Sequence, residues 1–219
     1  MLVLCFASRH GADPAAEMRQ PIANAVFRKG WLLQKAGRGD EALQLWQQVL
    51  DRFDRPGYDP TVGAQVAAAL LGQSDELGLR GRWAEALALA DQVLQQHADG
   101  PAYIFRRVLA AALANRAEAL VGLRRPEEAL EACAAFHSRY EQPPEEDLAS
   151  PRVGVLLAEG AASEQLGRPN EATAAYEAVV HGWAHDPEQG EKVARAGAGL
   201  EQLGRHRPGN TGQGPGESA

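Results

Sequence analysis

One short motif returns along this chain at a nearly constant interval of about 43 residues. It combines a glycine or arginine turn with a Glu-Ala run, and its glutamates are Glu41, Glu85, Glu128 and Glu171. The steps between these glutamates are 44, 43 and 43 residues. A constant period of this length indicates that one supersecondary unit is stacked on itself several times. Stacked arrays of this kind typically present extended binding surfaces, so the period constrains function as well as fold.

After each turn, the residues follow the pattern of one amphipathic helix, here called helix B. In the second copy the apolar residues Ala86, Ala90 and Val93 are four and three positions apart, which places them on one helix face. A ring-bearing residue follows four positions later in every copy: Phe53, His97, Tyr140 and Trp183. The glutamate after each turn lies in the first helical turn, where its charge favours the helix dipole.

A second helix, helix A, is predicted before each turn. Seven residues before the turn residue the chain carries a small side chain in every copy: Gly30, Ser74, Ala117 and Gly160. Small residues at this place allow a partner helix to approach closely. In the second copy helix A is predicted at about residues 60–79, and a proline-marked loop separates each helix B from the next helix A.

The order of small residue, large apolar residue, turn, Glu-Ala-Leu and later ring resembles the tetratricopeptide repeat (TPR). The resemblance covers most of residues 15–204, with a period longer than the usual 34 residues of that family. It implies an all-α, right-handed α-solenoid of antiparallel helix pairs. The expected divisions are a half repeat at 1–14, repeats at about 15–55, 56–99, 100–142 and 143–185, a final helix at 188–204 and a disordered tail at 205–219. Other helical repeats of this length, such as HEAT, remain the alternative but lack the turn motif.

Charge and composition exclude several classes of partner. The net charge is −7, with 29 acidic and 22 basic residues, which opposes binding to nucleic acid. No apolar run approaches the roughly 20 residues that cross a bilayer, so no membrane partner is expected. The apolar run at 1–7 is too short for a signal peptide and lacks a basic start. The two cysteines, Cys5 and Cys133, form no CxxC pair, and a cytoplasmic location is predicted.

Three short motifs resemble sites for a metal, a receptor or a nucleotide, but each lacks a required residue or lies in the repeat's own turn. His181 and His185 are four residues apart but lack the glutamate of a zinc-binding HExxH motif. The tripeptide at 38–40 lies in the repeat's own turn, and 197–199 lacks the third glycine of a dinucleotide-binding loop. We therefore predict no catalytic, cofactor-binding or metal-binding residues and no enzymatic activity. An enzyme with an unrecognised site is the remaining alternative.

The resemblance implies that helix A lines a concave face where peptides bind. The family's groove positions fall here on Asn24, Phe27, Trp31, Gln34, Leu71, Asp75, Asn115, Glu118, Leu157 and Glu164. This strip is apolar towards its N-terminal end and acidic in the middle. It predicts a protein or peptide partner with an apolar anchor and basic residues. The alternative for Phe27 and Trp31 is that they pack against a neighbouring repeat.

The predicted function is therefore a non-catalytic scaffold for protein–protein interaction. The array begins and ends within a repeat, and solenoids normally need capping elements. The chain is alternatively a truncated segment of a larger multidomain repeat protein, serving as a spacer or assembly module. Self-association through uncapped ends is a further expectation.

Overall fold

The computed structural model describes residues 17–54, 59–140 and 148–205 of the chain. Within these ranges it contains nine α-helices and no strand. They are α1 Arg19–Lys35, α2 Gly39–Phe53, α3 Pro60–Leu79, α4 Trp83–His97, α5 Ala102–Gly122, α6 Pro126–Tyr140, α7 Ala149–Gln165, α8 Pro169–Trp183 and α9 Gly190–Arg205. The predicted half repeat at 1–14 and the predicted tail beyond residue 205 lie outside the described residues.

The helices form four pairs and two layers. Turns of three residues join α1 to α2, α3 to α4, α5 to α6 and α7 to α8. Each odd-numbered helix contacts the next odd-numbered helix, whereas no two of the described even-numbered helices contact each other. The odd-numbered helices therefore form the inner layer of a curved stack and correspond to helix A. The predicted all-α helical solenoid is confirmed.

The repeated sequence motif forms the turn between the two helices of each pair. Gly37, Gly81 and Gly167 have φ values of 74°, 73° and 67°, and Arg124 takes the same conformation with φ 59°. The next N–H closes the turn on a carbonyl five residues back, as Arg38 does on Leu33 at 2.8 Å. This is the hydrogen bond of a Schellman motif, which needs a left-handed residue at that place.

The arginine and glutamate of the motif form an ion pair at the start of each helix B. The pairs are Arg38–Glu41, Arg82–Glu85 and Arg125–Glu128 at 2.6 Å, and Arg168–Glu171 at 3.5 Å. All eight side chains are substantially exposed, so water and salt screen each pair and it contributes little to stability. The arginine and glutamate of the motif therefore pair with each other next to the turn, and other residues form the surface of the inner layer.

Rings of helix B insert between successive A helices where glycines leave room. Trp46 is fully buried, and a Cβ added at Gly30 or at Gly72 would lie 2.6 Å from its ring. Tyr176 lies in the same way against Gly160 and Gly199. This ring-between-glycines packing fixes the spacing of the inner helices and therefore the shape of the surface they present.

Helix α9 continues the inner layer after the last pair. Its residue Ala196 is fully buried, and Val193, Leu200 and Leu203 pack with Tyr176 and Val179 of α8. Among the described helices, none is long and apolar enough to cross a membrane.

Candidate binding groove

Three of the predicted groove residues form one row on the inner layer. Trp31, Asp75 and Glu118 each lie six residues before the turn residue of their repeat, on α1, α3 and α5. We call these three residues the inner row. Charged side chains from α1, α3, α5 and α9 interact around Asp75, which shows that the row faces the inside of the curve.

Asp75 lies at the centre of the groove. Its side chain reaches solvent, yet it is surrounded by neighbouring inner helices and hydrogen-bonds to Asn115. The reduced hydration inside the groove, followed by the negative charge of Glu118, raises the pKa of Asp75 to about 7. Lys192 and Lys35 act in the opposite direction. The carboxyl group therefore changes its charge close to neutral pH.

Glu118 is paired with a residue 77 positions away in the sequence. The two terminal nitrogens of Arg195, on α9, both donate to Oε1 of Glu118 at 3.0 Å. Lys192, one turn earlier on α9, donates to the carbonyl oxygen and to Oγ of Ser150 at 3.1 and 3.0 Å. Burial lowers the pKa of Lys192 although Asp75 and Glu118 act to raise it. Two cations of α9 thus reach the acidic part of the groove.

The aromatic end of the groove combines a packed ring with an open one. Phe27 packs against the cluster around Trp46 and accepts a hydrogen bond from Nε1 of Trp46 at its carbonyl, at 3.3 Å. Trp31 is 45% exposed, and Nζ of Lys35 lies 5.9 Å from the centroid of its ring. The side chain of Phe27 is therefore partly buried in this cluster, while that of Trp31 is about half exposed.

Other predicted groove residues are buried or hydrogen-bonded within the protein. Leu71 and Leu157 are buried, at 5% and 6% exposure, and their side chains offer no contact surface to a partner. Both lie four residues before the row position of their helix, on the side that packs against neighbouring helices. Asn24 donates to Oε1 of Gln65 at 3.2 Å, and Glu164 hydrogen-bonds to Tyr176. Gln34 is partly buried at the C-terminal end of α1.

Comparison with known proteins agrees with this arrangement of helices. Residues 24–55, which span most of α1 and α2, match the family model described as tetratricopeptide repeat. The family model matches one helix pair, and the fold of the described residues is TPR-like. The fold is also similar to a crystal structure of a TPR-like protein from Chlorobium tepidum, with a TM-score of 0.52 and 22% sequence identity. That similarity covers 63% of this chain and 94% of the other. No curated protein sequence matches. Repeats of this fold generally serve as scaffolds for protein–protein interaction.

The cations of the TPR-like groove were not predicted from the sequence. Lys35 lies four residues after Trp31 on α1, a spacing that places both on one face and could have been noticed. For Lys192 and Arg195 the sequence carries no such signal. The contact of Arg195 with Glu118 of α5 and that of Lys192 with Ser150 of α7 depend on how the inner helices stack on one another.

A small cavity lies beside the Arg195–Glu118 pair. Its volume is about 30 Å³, the share of one water molecule in the liquid. Leu157, Ala158 and Ala161 of α7 form its apolar floor, while Glu118, Lys192 and Arg195 form a charged rim.

The chemical groups of the described residues bear on what the groove can do. Among the described residues, no group of three or more His, Cys, Asp or Glu side chains could hold a metal ion. Cys133 is buried, and burial raises the pKa of its thiol, which keeps the sulfur in its weakly nucleophilic neutral form. What the described groove offers is a half-exposed tryptophan, two carboxylates and three neighbouring cations.

Proposed function

We propose that this TPR-like protein is a non-catalytic scaffold that binds a peptide or a segment of a partner protein along the inner row. The observation that carries the proposal is Trp31, a half-exposed tryptophan on a packed helix in line with Asp75 and Glu118. Tryptophan is the residue type most enriched among those that dominate the binding energy of protein interfaces. The family resemblance supports the same class of function.

The packed stack would lower the cost of binding. The inner helices are held by buried rings and glycines, so the groove is formed before the partner arrives. A preformed surface loses little conformational entropy on association. The partner we propose carries an apolar anchor, which packs on Trp31, and basic residues, which pair with Asp75 and Glu118.

The test begins with a pull-down and mass spectrometry to identify a partner, followed by titration of that partner against variants. Trp31→Ala is expected to weaken binding by about 2 kcal/mol or more, roughly 30-fold in Kd. The matched control is Tyr103→Ala, which removes an 88% exposed ring about 22 Å along α5 from Glu118. It should leave the Kd unchanged.

Thermal melting of each variant separates binding from folding. If Trp31→Ala melts like the parent and still binds with parental affinity, the groove is not the binding surface. If Trp31→Ala unfolds the protein, Trp31 is a packing residue and the proposal loses its anchor.

A second candidate function, an assembly module, is favoured by the open face of α1. Met18 and Leu32 are 54% and 60% exposed, whereas residues at the equivalent positions of α3 and α7, such as Val62 and Ala162, are buried. In those helices the face is covered by the preceding helix pair, so the surface on α1 fits another helical repeat. Sedimentation of the parent and of Leu32→Asp tests this candidate: a dimer that Leu32→Asp abolishes supports it, and a parent that stays monomeric at high concentration opposes it.

A further inference from the structure

We propose that Arg195 occupies the subsite that an arginine of the bound partner takes, so that α9 acts as a built-in competitor of basic ligands. This inference rests on the proposed function, because it assumes that a partner binds in the groove. Its starting point is the contact of Arg195 with Glu118, which joins α9 to α5 across the intervening helix α7.

The charges around the inner row show why a basic ligand must exchange with a resident cation. The two carboxylates Asp75 and Glu118 are already faced by Lys35, Lys192 and Arg195. A further cation added to this set would meet three positive charges and at most two negative ones, because Asp75 becomes negatively charged only as the pH rises through about 7, its pKa. A partner arginine therefore gains most when it replaces the resident side chain that is held least firmly.

Arg195 is that side chain. Its side chain is 59% exposed and that of Glu118 is 42% exposed, so water screens their attraction. Lys192 is held by two hydrogen bonds to Ser150 and is partly buried. Arg195 can swing away without undocking α9, because Ala196 and Leu200 anchor the helix through apolar contacts.

The resident contact also leaves a better geometry open to a ligand. Both nitrogens of Arg195 donate to the single oxygen Oε1 of Glu118, and Oε2 accepts no hydrogen bond from the described residues. A guanidinium group that approaches from the groove can pair with both oxygens at once, which is the stronger arrangement. Its apolar stem would lie against Ala161 of α7, which is partly exposed and lines the same small cavity. The ligand class is thus a peptide with an arginine next to apolar residues.

The experiment uses a fluorescent peptide of alternating leucine and arginine with blocked ends, and the same peptide with citrulline in place of arginine. Citrulline keeps the shape of arginine but carries no charge. Both peptides are titrated against the full chain and against Arg195→Gln. We expect Arg195→Gln to bind the arginine peptide up to about five-fold more tightly, and to bind the citrulline peptide as the parent does.

The matched control is Arg205→Gln, which makes the same charge change on the same helix. Arg205 pairs with Glu201 on its own helix at 3.5 Å and is 78% exposed. A tightening of equal size in Arg195→Gln and Arg205→Gln would show an effect of net charge and overturn the inference. Glu118→Gln added to Arg195→Gln should remove the gain, and a gain that persists would also overturn it.

Two further outcomes complete the test. Unchanged or weaker binding of the arginine peptide by Arg195→Gln, or no binding at millimolar peptide, refutes competition by Arg195. Failure of this inference is distinct from failure of the proposed function. If Trp31→Ala abolishes binding of the arginine peptide and Arg195→Gln does not change it, the groove is supported and the role of Arg195 is refuted. If Arg195→Gln binds the arginine peptide more tightly and Trp31→Ala binds it as the parent does, the arginine subsite is supported and the role of Trp31 as an anchor is refuted.

Discussion

At the scale of single residues, two glycines of the inner helices have opposite roles according to what lies beside them. Gly160 lies in α7 and Gly197 lies in α9. A Cβ at Gly160 would collide with the ring of Tyr176, whereas a Cβ at Gly197 would meet nothing within 4 Å. Gly160 therefore provides space for the ring of Tyr176, whereas Gly197 only increases the conformational freedom of the backbone.

Replacing these two glycines by alanine should therefore change stability in opposite directions. We expect Gly160→Ala to lower the free energy of unfolding by about 1–3 kcal/mol, because the ring of Tyr176 must move in a packed core. Gly197→Ala should raise it by about 0.5–1 kcal/mol, because alanine restricts the unfolded chain. Urea denaturation of both variants checks this. Equal destabilisation by the two substitutions would contradict the packing of Tyr176.

The raised pKa of Asp75 predicts that the free energy of unfolding depends on pH. This pKa is raised from about 3.9 to about 7 in the folded protein, so between these values the folded state holds a proton that the unfolded state has lost. The favourable contribution is complete below about pH 4 and is lost as the pH rises through about 7. The groups that face Asp75 are Glu118, Asn115, Lys192 and Lys35.

Asp75→Asn removes this titration. We expect the stability difference between Asp75→Asn and the parent to change in favour of the variant from pH 5 to pH 8. Urea denaturation at several pH values provides the measurement, with Asp99→Asn in the loop before α5 as a control of equal charge change. A difference that stays constant with pH would refute the shifted pKa.

At the scale of elements, α9 completes the core of the last pair. Its partly buried residues Val193, Leu200 and Leu203 cover Tyr176 and Val179 of α8. Full burial of a side chain of this size contributes about 1.5–3 kcal/mol, so each of these three contributes part of that amount. Deletion of 188–219 should therefore lower the Tm clearly. Removal of 206–219 alone is the control and should leave the Tm unchanged. If both truncations melt alike, α9 does not stabilise the stack.

At the scale of the whole molecule, the stack is held by contacts between neighbours in sequence. Each described helix contacts only helices within two places of it in the chain, apart from polar links such as Arg195–Glu118. In such an array the stability of a unit grows with the number of its neighbours. The ends of the stack should open more readily than its middle.

Hydrogen exchange measures this gradient. We expect amides of α5 and α6 to exchange most slowly and those of α1 and α9 most quickly, because local opening begins where few contacts are lost. Arg195→Gln should not change exchange in α5 if the pair with Glu118 contributes little to stability. Uniform protection along the chain would show instead that the stack unfolds as one cooperative unit.

Several features of fold and groove followed from local patterns. The repeated turn, the helix pairs and the position of helix A at about 60–79, where α3 spans Pro60–Leu79, depend on residues close together in the chain. The inner row likewise followed from the distance to the turn. The burial of Leu71 and Leu157 did not, because whether a helix position faces the groove or the next helix depends on the angle between helices.

The sequence alone determined that this chain stacks helix pairs with a 43-residue period, since each turn and each amphipathic face is encoded within one repeat. It also determined which residues share the inner row. Only the tertiary structure decided the electrostatics of the groove. The approach of Arg195 to Glu118 results from small rotations added over successive repeats, and no short segment of the sequence encodes that sum.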